Sequence, residues 1–302
     1  MLLRKTLVSS LALGWGLLFL GLGSAEAAAI KAVGVENEYA NVISQIGGPY
    51  VQVQAIESNP NTDPHTFEAS PAVAQEVAAA QLVVRNGLGY DSWAKKILAA
   101  HPNSARKVIV VQDLLGLPSS TRNPHLWYKP ETMPKVAAAV AAALTEMMPA
   151  QKSYFAARVK AFDASLQPWF AGLRAFRSKY PHLPVAVTEP VADYMLEAAG
   201  CDIKTPWALQ AAIMNGTDPA PQDVSTQNAL FQRHQVKVFL YNQQVTDSLT
   251  QSFLHNAKAA KIPVVGVYET MPTGYDYQRW MMAELNALER AVSQGQSTTV
   301  LH

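Results

Sequence analysis

Two histidines sit in stiff, proline-flanked loops. The stretch "NPNTDPHTFEASP", Asn59 to Pro71, places His65 directly after Pro64, and "RNPHLWYKPE" places His125 directly after Pro124. Proline fixes its own φ and restricts the residue before it, so the backbone around each imidazole has less freedom to lose when the ring engages a partner. Imidazole is the commonest protein ligand for transition metals as well as a general base. Glu189, in "VTEPVADYM", and Glu269, in "VYETMPTG", each follow a β-branched apolar run. Two imidazoles and two carboxylates supply nitrogen and oxygen donors and cancel the charge of a dication. Such a set suits Mn²⁺, Fe²⁺ or Zn²⁺. The lack of thiolates argues against Cu(I), and bidentate glutamates would raise the coordination number and favour Mn²⁺ over Zn²⁺.

Taken singly, each residue has an ordinary role. A lone histidine is more often a surface or hydrogen-bonded side chain, and a glutamate before proline suits the first turn of a helix, where it favours the dipole. Asp63, Glu68, Asp276 and Asn242 are further candidates for ligands or for groups that hold ligands. Other chemistries have less behind them. There is no Gly-x-Ser-x-Gly elbow, "NGLG" at Asn86 lacks a full glycine fingerprint and reads as a turn, and Cys201 follows Gly200 where it fills core space. A secreted metallohydrolase would need an open coordination position and a nearby base, and the four candidate ligands leave no obvious base. The chain is therefore not expected to be an enzyme.

The elements that must position these side chains alternate regularly. In the first half "IKAVGV", "YVQVQAI", "QLVVRNG" and "KVIVVQ" read as strands, separated by Ala-rich helices; Ser70 and Pro71 give an N-cap and first turn. "LPVAVTE", "VKVFLYN" and "IPVVGVYE" repeat the rhythm in the second half, with a helix through "PVADYMLEAAG" and a final one through "YQRWMMAELNALERAV". Strand alternating with helix predicts α/β lobes, each a mainly parallel sheet flanked by helices. Between them, "AQKSYFAARVKAFDASLQPWFAGLRAFRSKY" is helical in pattern, with Pro168 as its one candidate kink, and predicts a spine joining the lobes. The expected divisions are a signal peptide over 1–29, an N-terminal lobe over 30–149, a linking helix over 150–180 and a C-terminal lobe over 181–302. In open α/β sheets ligands gather beyond the carboxyl ends of strands, which is where all four candidates fall. The polar tail "SQGQSTTVLH" is expected to fray, with His302 a bystander, and the Trp127–Tyr128 pair either walls the cleft or packs.

Composition narrows the class. The 302 residues carry 24 Lys+Arg against 23 Asp+Glu, so no basic stripe for nucleic acid is expected. The start, "MLLRKTLVSSLALGWGLLFLGLGSAEAAAI", has two basic residues, an apolar run and small residues, as a secretory signal does, with processing after residue 27 or 29. A single cysteine, far from that signal, provides neither a disulfide nor a lipid anchor. A soluble periplasmic protein is expected.

The motifs "DPHTFEASP", "QLVVRNGLGYDSWAKKIL", "NPHLWYKPE" and "YQRWMMAELNAL" together resemble the extracytoplasmic solute-binding proteins of metal-ion ABC transporters, the cluster A-I family of manganese, zinc and iron binders, over about Lys31 to Val292. The resemblance implies two lobes bridged by one long helix, a single transported divalent ion, a membrane permease as partner and a monomer. It implies metal ligands at His65 and His125 on matching motifs, Glu189 at the position that is histidine or glutamate in relatives, and Glu269 where the family usually has aspartate. The His- and acid-rich loop of many zinc-type members is missing here. Some relatives are called adhesins, which leaves a metal-binding adhesin as the alternative.

Overall fold

β-branched runs become strands of a parallel sheet when helices cover both faces. The computed structural model describes residues 29–301, so the expected signal peptide, apart from Ala29, and His302 lie outside the described residues. β1 (Ile30–Glu36) leads through α1 (Asn37–Gly47) to β2 (Val51–Glu57). α2 (Pro71–Ala79) leads to β3 (Leu82–Arg85), and α3 (Ser92–Ala100) to β4 (Lys107–Val110). Ser70 caps α2 as its type and place suggest, its hydroxyl accepting from the Val73 N–H at 3.3 Å. A short α4 (Val111–Leu114) and α5 (Thr132–Met147) then precede α6 (Lys152–Lys179), whose 28 residues run unbroken through Pro168.

The second unit follows the same plan: β5 (Leu183–Val187), α7 (Asp193–Ala198), β6 (Cys201–Ile203), α8 (Trp207–Met214), α9 (Pro221–Gln232), β7 (Val238–Asn242), α10 (Ser248–Ala259), β8 (Val264–Val267) and α11 (Tyr277–Gln294). The strand orders are β2-β1-β3-β4 and β6-β5-β7-β8, with every pairing parallel. In both sheets the second strand flanks the first on the side away from the third. Chain connections therefore leave in opposite directions at β1/β3 and at β5/β7, opening a crevice beyond the strand ends. Two four-stranded parallel sheets flanked by helices, with one long helix between, are the expected fold. Among the described residues no helix is long and apolar enough to cross a membrane.

The core has three parts. The outer face of the first sheet packs Val33, Val35 and Val83 under α2 and α3. The outer face of the second packs Phe239, Tyr241 and Val264 under α8, α9 and α10. Their other faces share one continuous apolar cluster, from Ile30, Leu82 and Val84 through Phe155, Leu166 and Trp169 of α6 to Val185, Leu240, Val265 and Trp280. The buried residues of α6, Phe155, Phe162, Leu166, Trp169, Leu173 and Phe176, recur at intervals of three, four or seven, the stripe that fastens a helix along a core.

Close approach of α1 to β1 depends on Gly34, where a Cβ would lie 2.5 Å from the Ala40 Cα and meet the Ala40 backbone nitrogen. Backbone cannot yield as a flexible side chain does. Gly34→Ala is therefore expected to cost about 2–3 kcal/mol, lowering the midpoint of thermal unfolding by about 3–5 °C; an unchanged melt would contradict this packing.

Two sequence expectations need correction, and three elements had no counterpart in the sequence reading. The segment after Glu189 is not a helical turn: residues 189–192 are bends, and α7 begins at Asp193. β6, at three residues, is too short for an alternating pattern to reveal it, and neither α8 nor α9 was anticipated. The tail does not fray. Thr298 bridges Val265 at the edge of the second sheet, its N–H donating to the Val264 carbonyl at 2.9 Å and its carbonyl accepting from Gly266 N–H at 2.9 Å. Beyond it, the Leu301 N–H reaches the Tyr268 hydroxyl at 3.2 Å. Cys201 opens β6 in the core, and burial pushes its thiol to about 12, which leaves it unreactive.

Candidate metal centre

His65 stands on a short 3-10 turn, Pro64–Thr66, that Asp63 organises. The Asp63 carboxylate accepts from the His65 N–H at 2.8 Å, and its carbonyl accepts from the Thr66 hydroxyl at 2.8 Å. Asp63 thus shapes the loop. His125 is presented in a similar way. Asn123 Oδ1 accepts from the His125 N–H at 2.9 Å and lies 2.8 Å from its Nδ1. The Trp127 ring meets the His125 ring edge to face at 5.5 Å between centroids and Tyr90 at 5.1 Å, so it walls the site and packs at once. The same loop reaches the second unit: the Tyr128 hydroxyl donates to the Tyr268 carbonyl just past β8 at 2.9 Å, and the Tyr277 hydroxyl of α11 to the Trp127 carbonyl at 2.6 Å.

Glu269 lies just past β8 and is held from every side. Gln244 Oε1 accepts from its N–H at 2.6 Å and from that of Thr270 at 2.9 Å. Asn242 Nδ2 donates to Glu269 Oε1 at 2.6 Å, and the Tyr90 hydroxyl donates to Oε2 at 2.9 Å. Both imidazoles converge on that second oxygen. His125 Nε2 and His65 Nε2 each lie 3.1 Å from Oε2, the latter off the line of a hydrogen bond. Donor atoms of His65, His125 and Glu269 all fall within 4.8 Å of one another.

Glu189 is not part of that trio. It sits past β5, fully buried, and neither carboxylate oxygen has a hydrogen-bond partner. Among the other candidates, Glu68 is exposed and Asp276 is the N-cap of α11, accepting from the Arg279 N–H at 2.8 Å. Asn242 fixes Glu269 rather than replacing it. Three contributors escaped the sequence: Tyr90, Asn123 and Gln244. Tyr90 follows a turn in which Gly87, Leu88 and Gly89 all have positive φ, and Leu88 gives no sign of it in sequence. An Asn two residues before a histidine, able to accept from the N–H two residues on, was a readable signal for Asn123.

Burial and charge oppose each other here. Burial raises the Glu269 carboxyl, but the two facing imidazoles outweigh it and hold the group well below the usual carboxylate range. At Glu189 burial and then the Glu269 charge push the carboxyl well above its ordinary value, and the Asn242 amide, committed to Glu269, offsets little of this. At His65 burial works against a proton, yet Glu269 prevails and the ring's pKa is raised. At the deeper His125 burial prevails and the pKa falls. Side-chain exposure separates the two rings, 21% at His65 and 0% at His125, and a cavity of about 430 Å³ lined by His65, Tyr90, Arg122 and Trp207 opens on the exposed one. Two nitrogens and a carboxylate focused on one point are donors that could hold a cation with affinity for both nitrogen and oxygen.

Comparison with known proteins agrees with this chemistry. The family model described as "Zinc-uptake complex component A periplasmic" matches residues 36–291. A "Putative metal-binding protein" of Thermotoga maritima is 30% identical over 95 residues, which is 31% of this chain and 33% of that relative. The periplasmic zinc-binding protein TroA of Treponema pallidum superposes with a TM-score of 0.74 at 16% identity, covering 89% of this chain and 99% of that one. The solute-binding protein FpvC of P. aeruginosa, in complex with Ni²⁺, does so with a TM-score of 0.71 at 18% identity over 90% and 100%. These structures share the fold, and the family model spans most of the chain: the protein belongs to the family of periplasmic zinc-uptake complex component A.

Proposed function

We propose that this protein captures one divalent transition-metal ion, Zn²⁺ or Mn²⁺, in the periplasm and passes it to the membrane permease of an ABC transporter. The convergence of His65 Nε2 and His125 Nε2 on Glu269 Oε2, each at 3.1 Å, carries the reading. Two nitrogens facing an anionic oxygen need a cation among them, and in the metal-free protein a shared proton serves. His65, His125 and Glu269 are the ligands supplied by that focus. Glu189 is the fourth: a buried carboxylate with two unpartnered oxygens is costly unless a proton or a metal ion meets it. Two imidazoles and two carboxylates then bind the ion with its charge cancelled.

Export relies on the leader at residues 1–29, and the mature protein acts as a monomer, its lobes at 30–149 and 181–302 joined by 150–180. Zinc accords with the family's description, whereas bidentate glutamates suit manganese, and Zn²⁺ outcompetes Mn²⁺ for most such donor sets unless geometry intervenes. Binding in a tube therefore does not name the cargo. The test is elemental analysis of protein taken directly from its native compartment. One equivalent of zinc or manganese per chain is expected; protein carrying no transition metal would overturn the proposal.

A further inference from the structure

The side chain of Asn123 is almost fully buried and faces two groups that each allow one role only. The His125 backbone N–H, 2.9 Å from Oδ1, can only donate, and the Pro190 carbonyl, 2.7 Å from Nδ2, can only accept. Together they fix which end of the amide is oxygen, a choice that is otherwise ambiguous. His125 Nδ1, 2.8 Å from that same oxygen, must then be the protonated nitrogen. Its Nε2 is left as the lone-pair nitrogen, directed at Glu269 Oε2. At its other end, the amide grips Pro190, the residue next to Glu189, while the Asn123 carbonyl accepts from the Tyr194 hydroxyl at 3.0 Å.

We infer that Asn123 is a positioning residue for metal capture: it holds His125 in the tautomer whose Nε2 can bind a metal ion and ties that ring to the loop presenting Glu189. A neutral imidazole with its proton on Nε2 offers nothing to the ion, so the free protein would otherwise spend part of its time in a form unable to bind. Partners of this kind orient the ring of a ligating histidine, and their removal typically weakens affinity by about 10–100-fold. The inference rests on the reading of His125 as a ligand.

The experiment compares wild type, Asn123→Ala, Asn123→Asp and His125→Ala, using Zn²⁺ competition against a chromophoric chelator and nitrogen NMR of the His125 ring in the metal-free protein at mildly alkaline pH. Asn123→Ala is expected to raise Kd by about 10–100-fold and to replace the single Nδ1–H form by a mixture. Asn123→Asp keeps the acceptor and loses the donor to Pro190, so it should restore the tautomer and recover part of the affinity. It also serves if the alanine variant fails to fold. An Asn123→Ala protein that binds within about threefold of wild type or retains the Nδ1–H form alone overturns the inference, as does a mixed tautomer in Asn123→Asp. Wild-type binding by His125→Ala would instead remove the ligand assignment itself.

Discussion

The double variant His65→Ala, His125→Ala is expected to lose transition-metal affinity by at least about 10⁴-fold, equivalent to about 5.5 kcal/mol. Two donors disappear directly, and a third is weakened indirectly. The Glu269 carboxyl is held low by the two imidazoles against the opposing effect of burial. With both rings gone, burial is opposed only by the Asn242 and Tyr90 donors, so the carboxyl rises from its depressed value and holds a proton more readily against the ion. Loss of the pair should therefore exceed the sum of the single losses, because the residues share one partner. The single variants should differ in stability. His125→Ala removes a fully buried ring, at a cost of about 2–4 kcal/mol, whereas His65 lies partly exposed at the cavity mouth and its replacement should cost less than about 1 kcal/mol. Chelator competition and thermal melts on all three variants measure both quantities. Double-variant affinity within tenfold of wild type would place the ion elsewhere.

Loading should also weaken steeply with acid. Binding requires both imidazoles neutral and both carboxylates ionised. In the metal-free protein burial and the Glu269 charge keep a proton on Glu189 well above the usual range, and Glu269 overcomes burial to raise the pKa of His65. The metal-bound state therefore holds fewer protons than the free one, and affinity rises with pH across the window bounded by these raised values. Release of about one to two protons per ion within that window corresponds to a 10–100-fold fall in affinity for each unit of acidification. His125 and Glu269, whose pKa values lie below their ordinary ones, add nothing until the pH is lower still. Calorimetry in two buffers of different ionisation enthalpy counts the protons directly. A heat independent of the buffer would refute the linkage.

Much of the fold could be read from the chain because its strands are continuous β-branched runs and α6 carries an apolar stripe along its whole length. His65 and His125 stood out because proline and turn chemistry surround them, and Glu269 because it follows a buried β-branched run. What stayed hidden has physical reasons. Three residues at β6 are too few to show a period, and Leu88 at positive φ, which redirects the chain so that Tyr90 meets Glu269, looks like any other leucine. The tail reads as polar because its contacts with β8 are largely made by backbone. Glu189 was recognisable by type and place, but its distance from the other three is set by packing between segments far apart in sequence.

The apolar cluster that runs without a break from β1 through α6 to β8 limits how cargo can leave. A clamshell would have to part that cluster, at a cost of about 25 cal/mol for each Å² of apolar surface exposed. Such an opened form would be a very minor population, so wide parting of the lobes is not the expected route of release. Exchange is then expected locally, at the mouth beside the partly exposed His65, with the body of the protein closed.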